Sequence, residues 1–360
     1  MRIIFFAWFG KIFSNASNIF NRVNVTLSMV KNLRWIFFWI QLVGALAAAV
    51  VHAADYDPLA VTPNFSAQPL DLVVHDAPRE RDLPVLIYLP TNTTPAPVVI
   101  FSHGLGGSRQ GSKFLGEHWA ARGYVAVFVQ HPGSDDAVWR DTKLADRMKA
   151  MRAAASVENF NLRVHDIPAV LDKLTRWNTE KTNALAGRLN LEKVGMSGHS
   201  FGAVTTQAVS GQAQLTLGTK LTDSRITAAI AFSPSSPKNL SAEKSFASVK
   251  IPWLLMTGTK DIAVVGNTDL KSRLCVYPAL NGAPKYEVVL DRAEHSAFTE
   301  RALPGDHEPR NPNHHRVILA LSTAFWDAYL GGDTNALAWL NGAGPRGVLE
   351  TADRWQLEVK

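Results

Sequence analysis

The chain has 360 residues, with 37 Lys and Arg, 31 Asp and Glu, one cysteine and a formal net charge of +6. At 46% hydrophobic and 19% charged it can bury a core and is no disordered polymer. The single cysteine excludes an intramolecular disulfide framework and any cysteine-built zinc or iron–sulfur site. Arg2, Lys11, Arg22, Lys31 and Arg34 all lie in residues 1–53, which hold no acid. Removing those five from the 37 leaves 32 basic against 31 acidic residues. The remainder lacks the positive field that a nucleic-acid binder needs, so nucleic acid is excluded as a partner.

The positive charge belongs to a leader. Trp35 to Val51 is 17 residues long with only Gln41 polar, preceded by Lys31 and Arg34 and followed by Val51-His52-Ala53. A basic start, an apolar middle and a small-x-Ala exit describe a secretory signal. Cleavage is expected after Ala53, and the alternative is an uncleaved membrane anchor. Met29 begins a segment of ordinary signal length, so residues 1–28 read as an over-extended start. The expectation is an exported protein, periplasmic or secreted, with one catalytic domain over 54–360. With about 307 residues, that domain can be stable without disulfides.

Residues 55–70 read as irregular. Strand-like runs follow at Pro84–Leu89, Val98–Phe101, Tyr124–Val129, Lys193–Met196, Ile226–Phe232, Pro252–Thr257 and Tyr286–Leu290. Helix-like runs lie between and after them: Phe114–Ala121, Leu144–Ala155, Arg163–Leu174, Phe201–Val209 and His315–Tyr329. This alternation predicts an α/β fold, a mostly parallel twisted sheet with helices on both faces.

Gly198-His199-Ser200-Phe201-Gly202 is a Gly-x-Ser-x-Gly pattern between a strand and a helix. There a serine sits in a strained turn with its hydroxyl projecting, and the helix N-terminus favours developing negative charge. A serine needs a base, and the chain order on this architecture is Ser, acid, His. Of the later histidines, His295 follows a strand directly, whereas His314 and His315 are expected to start the final helix and face solvent. The acid expected from an earlier strand end is Asp261, in Gly258-Thr259-Lys260-Asp261. Asp291 and Glu294 are rivals, disfavoured as solvated carboxylates too near His295 in sequence. The glycine-rich turn Ser102-His103-Gly104-Leu105-Gly106-Gly107 can aim backbone N–H groups at an oxyanion, the candidate donors being Leu105 and Phe201. His103, His199 and His131 are candidate pocket residues. Position 109 is Arg rather than a third glycine, and Gly111 is followed by Ser112-Lys113, so neither a dinucleotide nor a phosphate loop fits.

Ser-His-Gly-Leu-Gly at 102–106, Gly-His-Ser-Phe-Gly at 198–202, Asp261 and His295-Ser-Ala-Phe together resemble the platelet-activating-factor acetylhydrolase group of α/β-hydrolases. Bacterial members of that group are often described as predicted dienelactone hydrolases. The similarity spans about residues 70–330. It implies a calcium-independent serine esterase for short acyl esters, without cofactor. Carried over, it makes Ser200 the nucleophile, Asp261 the acid, His295 the base, and Leu105 and Phe201 the oxyanion donors. Gln130-His131-Pro132-Gly133-Ser134-Asp135 departs from the His-Arg-Asp of the animal enzymes, which leaves a phospholipid acetylhydrolase or lipase as one substrate class among several. Cutinase-type polyester hydrolases share the architecture. Cys275 lies far from the elbow, unlike the cysteine nucleophile of true dienelactone hydrolases.

The segment 233–251 is too short for a large lid, so a small lid or none is expected. The longer insertion, 131–158, carries Leu144, Met148, Met151 and Ala155 on one stripe beside Lys143, Arg147, Lys149 and Arg152. An amphipathic helix packed on the core is the favoured reading, and a cover facing a hydrophobic or membrane-surface substrate the alternative. No metal constellation is expected. The partner is then a small-molecule or lipid ester, and the oligomeric state is left open. Rival functions are a non-catalytic binding protein on the same fold and a serine peptidase or amidase.

Overall fold

A computed structural model describes residues 56–359, apart from 67, 267 and 304. The leader, with its expected cleavage after Ala53, lies outside the described residues. Nine strands form one sheet: β1 (Leu70–Asp76), β2 (Arg81–Tyr88), β3 (Ala96–Ser102), β4 (Val125–Val129), β5 (Leu189–His199), β6 (Ile226–Phe232), β7 (Trp253–Lys260), β8 (Lys285–Glu294) and β9 (Arg354–Glu358). Their order is β1-β2-β4-β3-β5-β6-β7-β8-β9. Six neighbours, β4 through β8, run parallel, and β1, β2 and β9 add antiparallel edges. Parallel strands need helical crossovers on both faces, so they read as continuous apolar runs. β4 is buried at every residue and β6 at all but one.

The main helices are α1 (Lys113–Arg122), α2 (Arg147–Ala154), α3 (Val157–Thr179), α4 (Phe201–Val209), α5 (Leu270–Leu274), α6 (Pro312–Trp326) and α7 (Thr334–Asn341). α3 starts at Ser156, whose hydroxyl accepts from the N–H of Asn159 and thereby caps the helix. Its stripe of Val164, Ile167, Val170, Leu171 and Leu174 packs on Val85, Ile87, Val98, Ile100, Val127 and Val129. Each such side chain, taken from water to full burial, contributes ~1.5–3 kcal/mol. Trp119 of α1 and Trp326 of α6 meet edge to face.

The α/β fold and mostly parallel sheet read from the sequence are what the chain adopts. β1 and β9 were not anticipated. Both are edge strands with one wet face: β1 alternates exposed and covered residues, with Val73 52% exposed. The run 144–155 divides into a short turn at Leu144–Asp146 and α2. Nor does α2 pack on the core as favoured. It buries only Ala154, while Leu144 is 80% and Met148 43% exposed. The helix expected at 315–329 spans 312–326 and is not the last, since α7 follows. His314 does not face solvent. It is buried, 3.0 Å from the Asp291 carbonyl oxygen through Nε2. His315 stacks on Phe114 with ring centroids 3.9 Å apart.

Candidate active site

Parallel strands bring the loops that follow them to one edge of the sheet, and every candidate lies there. Ser200 directly follows β5, with φ 57° and ψ −114°, a strained backbone for a residue with a Cβ. The turn is held because the Ser200 N–H donates to the Phe232 carbonyl at 3.0 Å. It also needs glycine on both sides. A Cβ on Gly202 would lie 1.8 Å from the Ser102 carbonyl oxygen, and one on Gly198 2.4 Å from that of Gly202.

His295 opens the loop after β8. Its Nε2 is 2.8 Å from Ser200 Oγ, and its Nδ1 is 2.7 Å from Asp261 Oδ1. Asp261, just past β7, is fully buried and also accepts from Thr257 Oγ1 at 2.8 Å. Burial alone would raise its carboxyl, but the His295 imidazole and the Arg273 guanidinium beside it hold it far below the usual carboxylate range. The carboxylate therefore fixes the proton on Nδ1 and leaves Nε2 to accept from the serine hydroxyl. The rivals are engaged elsewhere. Glu294 accepts the N–H groups of His307 and Glu308, and Asp291 Oδ1 faces the Thr259 hydroxyl at 3.5 Å.

The turn after β3 lies against the serine: a Cβ on Gly104 would be 3.4 Å from the Ser200 Cβ. The Gly104 carbonyl accepts from His103 Nδ1 at 2.7 Å and from the Gly107 N–H at 3.0 Å. In a trans peptide the C=O and the next N–H point opposite ways, so pinning this oxygen aims the Leu105 N–H away from the turn. Phe201 is the first residue of α4, where N–H groups have no intrahelical acceptor. Among the described residues, neither the Leu105 nor the Phe201 N–H has a hydrogen-bond acceptor.

The three candidate pocket histidines stand behind the site. His131 is wholly buried, with Nε2 2.9 Å from Ser102 Oγ and Nδ1 2.9 Å from Asp166 Oδ2, so it does not line a pocket. Burial and Arg163 push it down to about 4, so it is neutral near pH 7. His103 accepts the His131 N–H through Nε2 at 3.1 Å. The His199 Nε2–H donates to the His295 carbonyl at 3.0 Å, and its ring packs 4.7 Å from that of His295. Burial lowers both imidazoles well below their ordinary value. They hold backbone rather than face substrate.

Sequence reading missed two buried arginines. Arg273 of α5 contacts Asp261 Oδ1 at 3.0 Å and donates to the Asp261, Ser233 and Pro234 carbonyls. Arg163 of α3 binds the turn after β3. Neither has a motif, because each is defined only by what the fold packs against it.

Such a sheet, with a serine in a strained strand–helix turn, an imidazole on its hydroxyl and a carboxylate behind, defines an α/β-hydrolase. A family model described as platelet-activating factor acetylhydrolase, isoform II, matches residues 79–164. The chain is therefore a hydrolase similar to that family, as its motifs implied. The matched segment contains the turn at 102–107, His131 and Arg163, and ends before Ser200. A search of the curated proteins finds no match.

Proposed function

We propose that the protein is an exported serine hydrolase that cleaves carboxylic esters through an acyl-enzyme. The observation that carries this reading is the linear contact Ser200 Oγ–His295–Asp261, at 2.8 and 2.7 Å, on a serine held in the strained turn. His295 Nε2 takes the Ser200 proton as Oγ attacks the ester carbonyl carbon. The N–H groups of Leu105 and Phe201 receive the oxyanion. On collapse the C–O bond to the alcohol breaks, and His295 protonates the departing alkoxide. Water then enters by the same route and releases the acid.

Exposed Leu144 and Met148 follow β4, Ile262 and Val264 follow β7, and Leu303 follows β8. All belong to segments that leave the same end of the parallel strands as Ser200. Trp139 of the insertion donates to the Gly106 carbonyl at 2.7 Å, so this insertion stands over the turn after β3. An apolar rim favours esters with an apolar acyl or alcohol part, from short acyl esters to lipids and polyesters. N-terminal sequencing of protein recovered from outside the cytoplasm is expected to begin at Ala54. Retention of the leader on secreted protein contradicts cleavage there.

The test is covalent labelling by a fluorophosphonate and hydrolysis of p-nitrophenyl esters from acetyl to palmitoyl, with p-nitroanilides for comparison. Wild type is expected to take label and cleave esters in preference to anilides. Ser200→Ala is expected to lose the label and ~10⁶-fold in kcat while remaining folded. Label that persists in Ser200→Ala, or a wild type inert to every ester, refutes the proposal.

A further inference from the structure

We infer that Arg163 is a positioning residue that holds the two oxyanion donors at a fixed separation. The inference rests on the proposed ester hydrolysis, because it gives that reaction's oxyanion site its rigidity. Arg163 lies on α3, more than 35 residues before Ser200, and is wholly buried. Its Nη2 donates to Ser102 Oγ at 2.9 Å and to the His103 carbonyl, immediately before the donor peptide of Leu105. Its Nη1 donates at 2.9 Å to Ser134 Oγ, and the Ser134 carbonyl holds the Gly106 N–H at 2.9 Å, immediately after that peptide. Both flanks of Leu105 are thus tied to one guanidinium.

The same group reaches the other donor. Its Nε donates at 3.0 Å to Thr205 Oγ1, whose hydroxyl donates to the Phe201 carbonyl at 3.0 Å. The guanidinium carbon stands 4.7 Å from the centroid of the Phe201 ring. A planar fork with five donors can span these acceptors together, and a lysine ammonium cannot. Ser102 completes the arrangement: it accepts from Arg163 and its hydroxyl donates to neutral His131, which is fixed in turn by Asp166. Asp166 also accepts Arg81 Nε at 2.9 Å and Arg79 Nη1 at 2.9 Å. The anchor is therefore a closed, buried network of opposite charges, which resists displacement as the tetrahedral intermediate forms. Oxyanion donors act only where the oxygen will be, and a misplacement of ~1 Å can cost ~10²-fold in rate.

The experiment compares wild type with Arg163→Lys and Arg163→Met. It measures kcat and KM for p-nitrophenyl acetate per active site, titrated to end point with a fluorophosphonate, and the inhibition constant of a trifluoromethyl ketone, which forms a tetrahedral adduct on the serine. Both variants are expected to lose about 100-fold in kcat with KM within about twofold. The ketone is expected to weaken by a similar factor, and the pH profile to be unchanged because Ser200, His295 and Asp261 are untouched. A residue that only stabilised the fold would lower the fraction of titratable sites and leave kcat per site alone; that outcome overturns the inference, as does a rise in KM at constant kcat. Where the Arg163 variants do not fold, Thr205→Val and Ser134→Ala each remove one acceptor. A fall of about 3–10-fold in kcat, matched in ketone affinity, supports the clamp, and unchanged kcat in both overturns it. A wild type without label or ester turnover defeats the underlying function, whereas an active wild type with unaffected variants defeats the clamp alone.

Discussion

Replacing Asp261 by Asn probes the charges behind the imidazole. Asp261 Oδ1 lies 2.7 Å from His295 Nδ1 and 3.0 Å from the Arg273 guanidinium, and Arg273 Nη2 is 3.2 Å from the same Nδ1. With the Nδ1 proton directed at Asp261, the last contact sets two N–H groups side by side. The carboxylate cancels the guanidinium at the point where the ring becomes cationic during catalysis. Asp261→Asn keeps the volume, removes the anion and leaves the cation. Two unit charges ~4 Å apart interact by ~4 kcal/mol at an effective dielectric constant of ~20. At ~1.4 kcal/mol per decade that is about three decades of rate, and an amide that flips the tautomer takes the loss towards ~10⁴. The stranded guanidinium then repels the imidazolium. Adding Arg273→Met is therefore expected to recover at least about tenfold over Asp261→Asn alone. Stability should follow the same cycle. Arg273→Met by itself leaves a buried carboxylate short of a partner, at a cost of ~3–5 kcal/mol, while the double variant removes both charges and lies nearer wild type. The assay is kcat/KM for p-nitrophenyl acetate per titrated site, alongside urea unfolding. A double variant no faster than Asp261→Asn, or stability losses that simply add, refutes the reasoning.

Two further outcomes test the fold that carries the site. Glu287 on β8 is buried, with Oε1 unpartnered and Oε2 2.5 Å from Gln356 Nε2, and burial raises it from 4.5 to about 7. A carboxyl raised in the folded state stabilises most below its unfolded value and loses that contribution as pH climbs from 4.5 towards 7. Glu287→Gln should match wild type in unfolding free energy near pH 4 and exceed it by ~3 kcal/mol above pH 7, at ~1.4 kcal/mol per unit; a pH-independent difference contradicts this. Gly202→Ala forces a Cβ to 1.8 Å from the Ser102 carbonyl oxygen, so it should cost more than ~4 kcal/mol, read as lost soluble yield or a collapsed urea midpoint. A folded, labelled Gly202→Ala enzyme shows instead that the elbow can open.

The parallel core and the three side chains Ser200, Asp261 and His295 were legible in the linear chain. A strand buried on both faces must be a continuous apolar run, as in Val125–Val129 and Ile226–Phe232, and a serine in so tight a turn must have glycine around it. These are local demands, written in adjacent residues. The half-wet edges β1 and β9 left only a weak pattern because one face of each needs no apolar side chain. The exposed α2 shows the reverse case: an amphipathic stripe states that a face is apolar, not what covers it. Arg163, Arg273 and the buried His131–Asp166 pair were decided by tertiary packing alone. Their meaning lies in the acceptors that β3, β4, α4 and β7 bring to them, and no local motif marks these residues as the triad's glycine turn and strand ends mark Ser200, Asp261 and His295. A buried charge is tolerable only where such partners converge, so the role of those residues exists only in the completed fold.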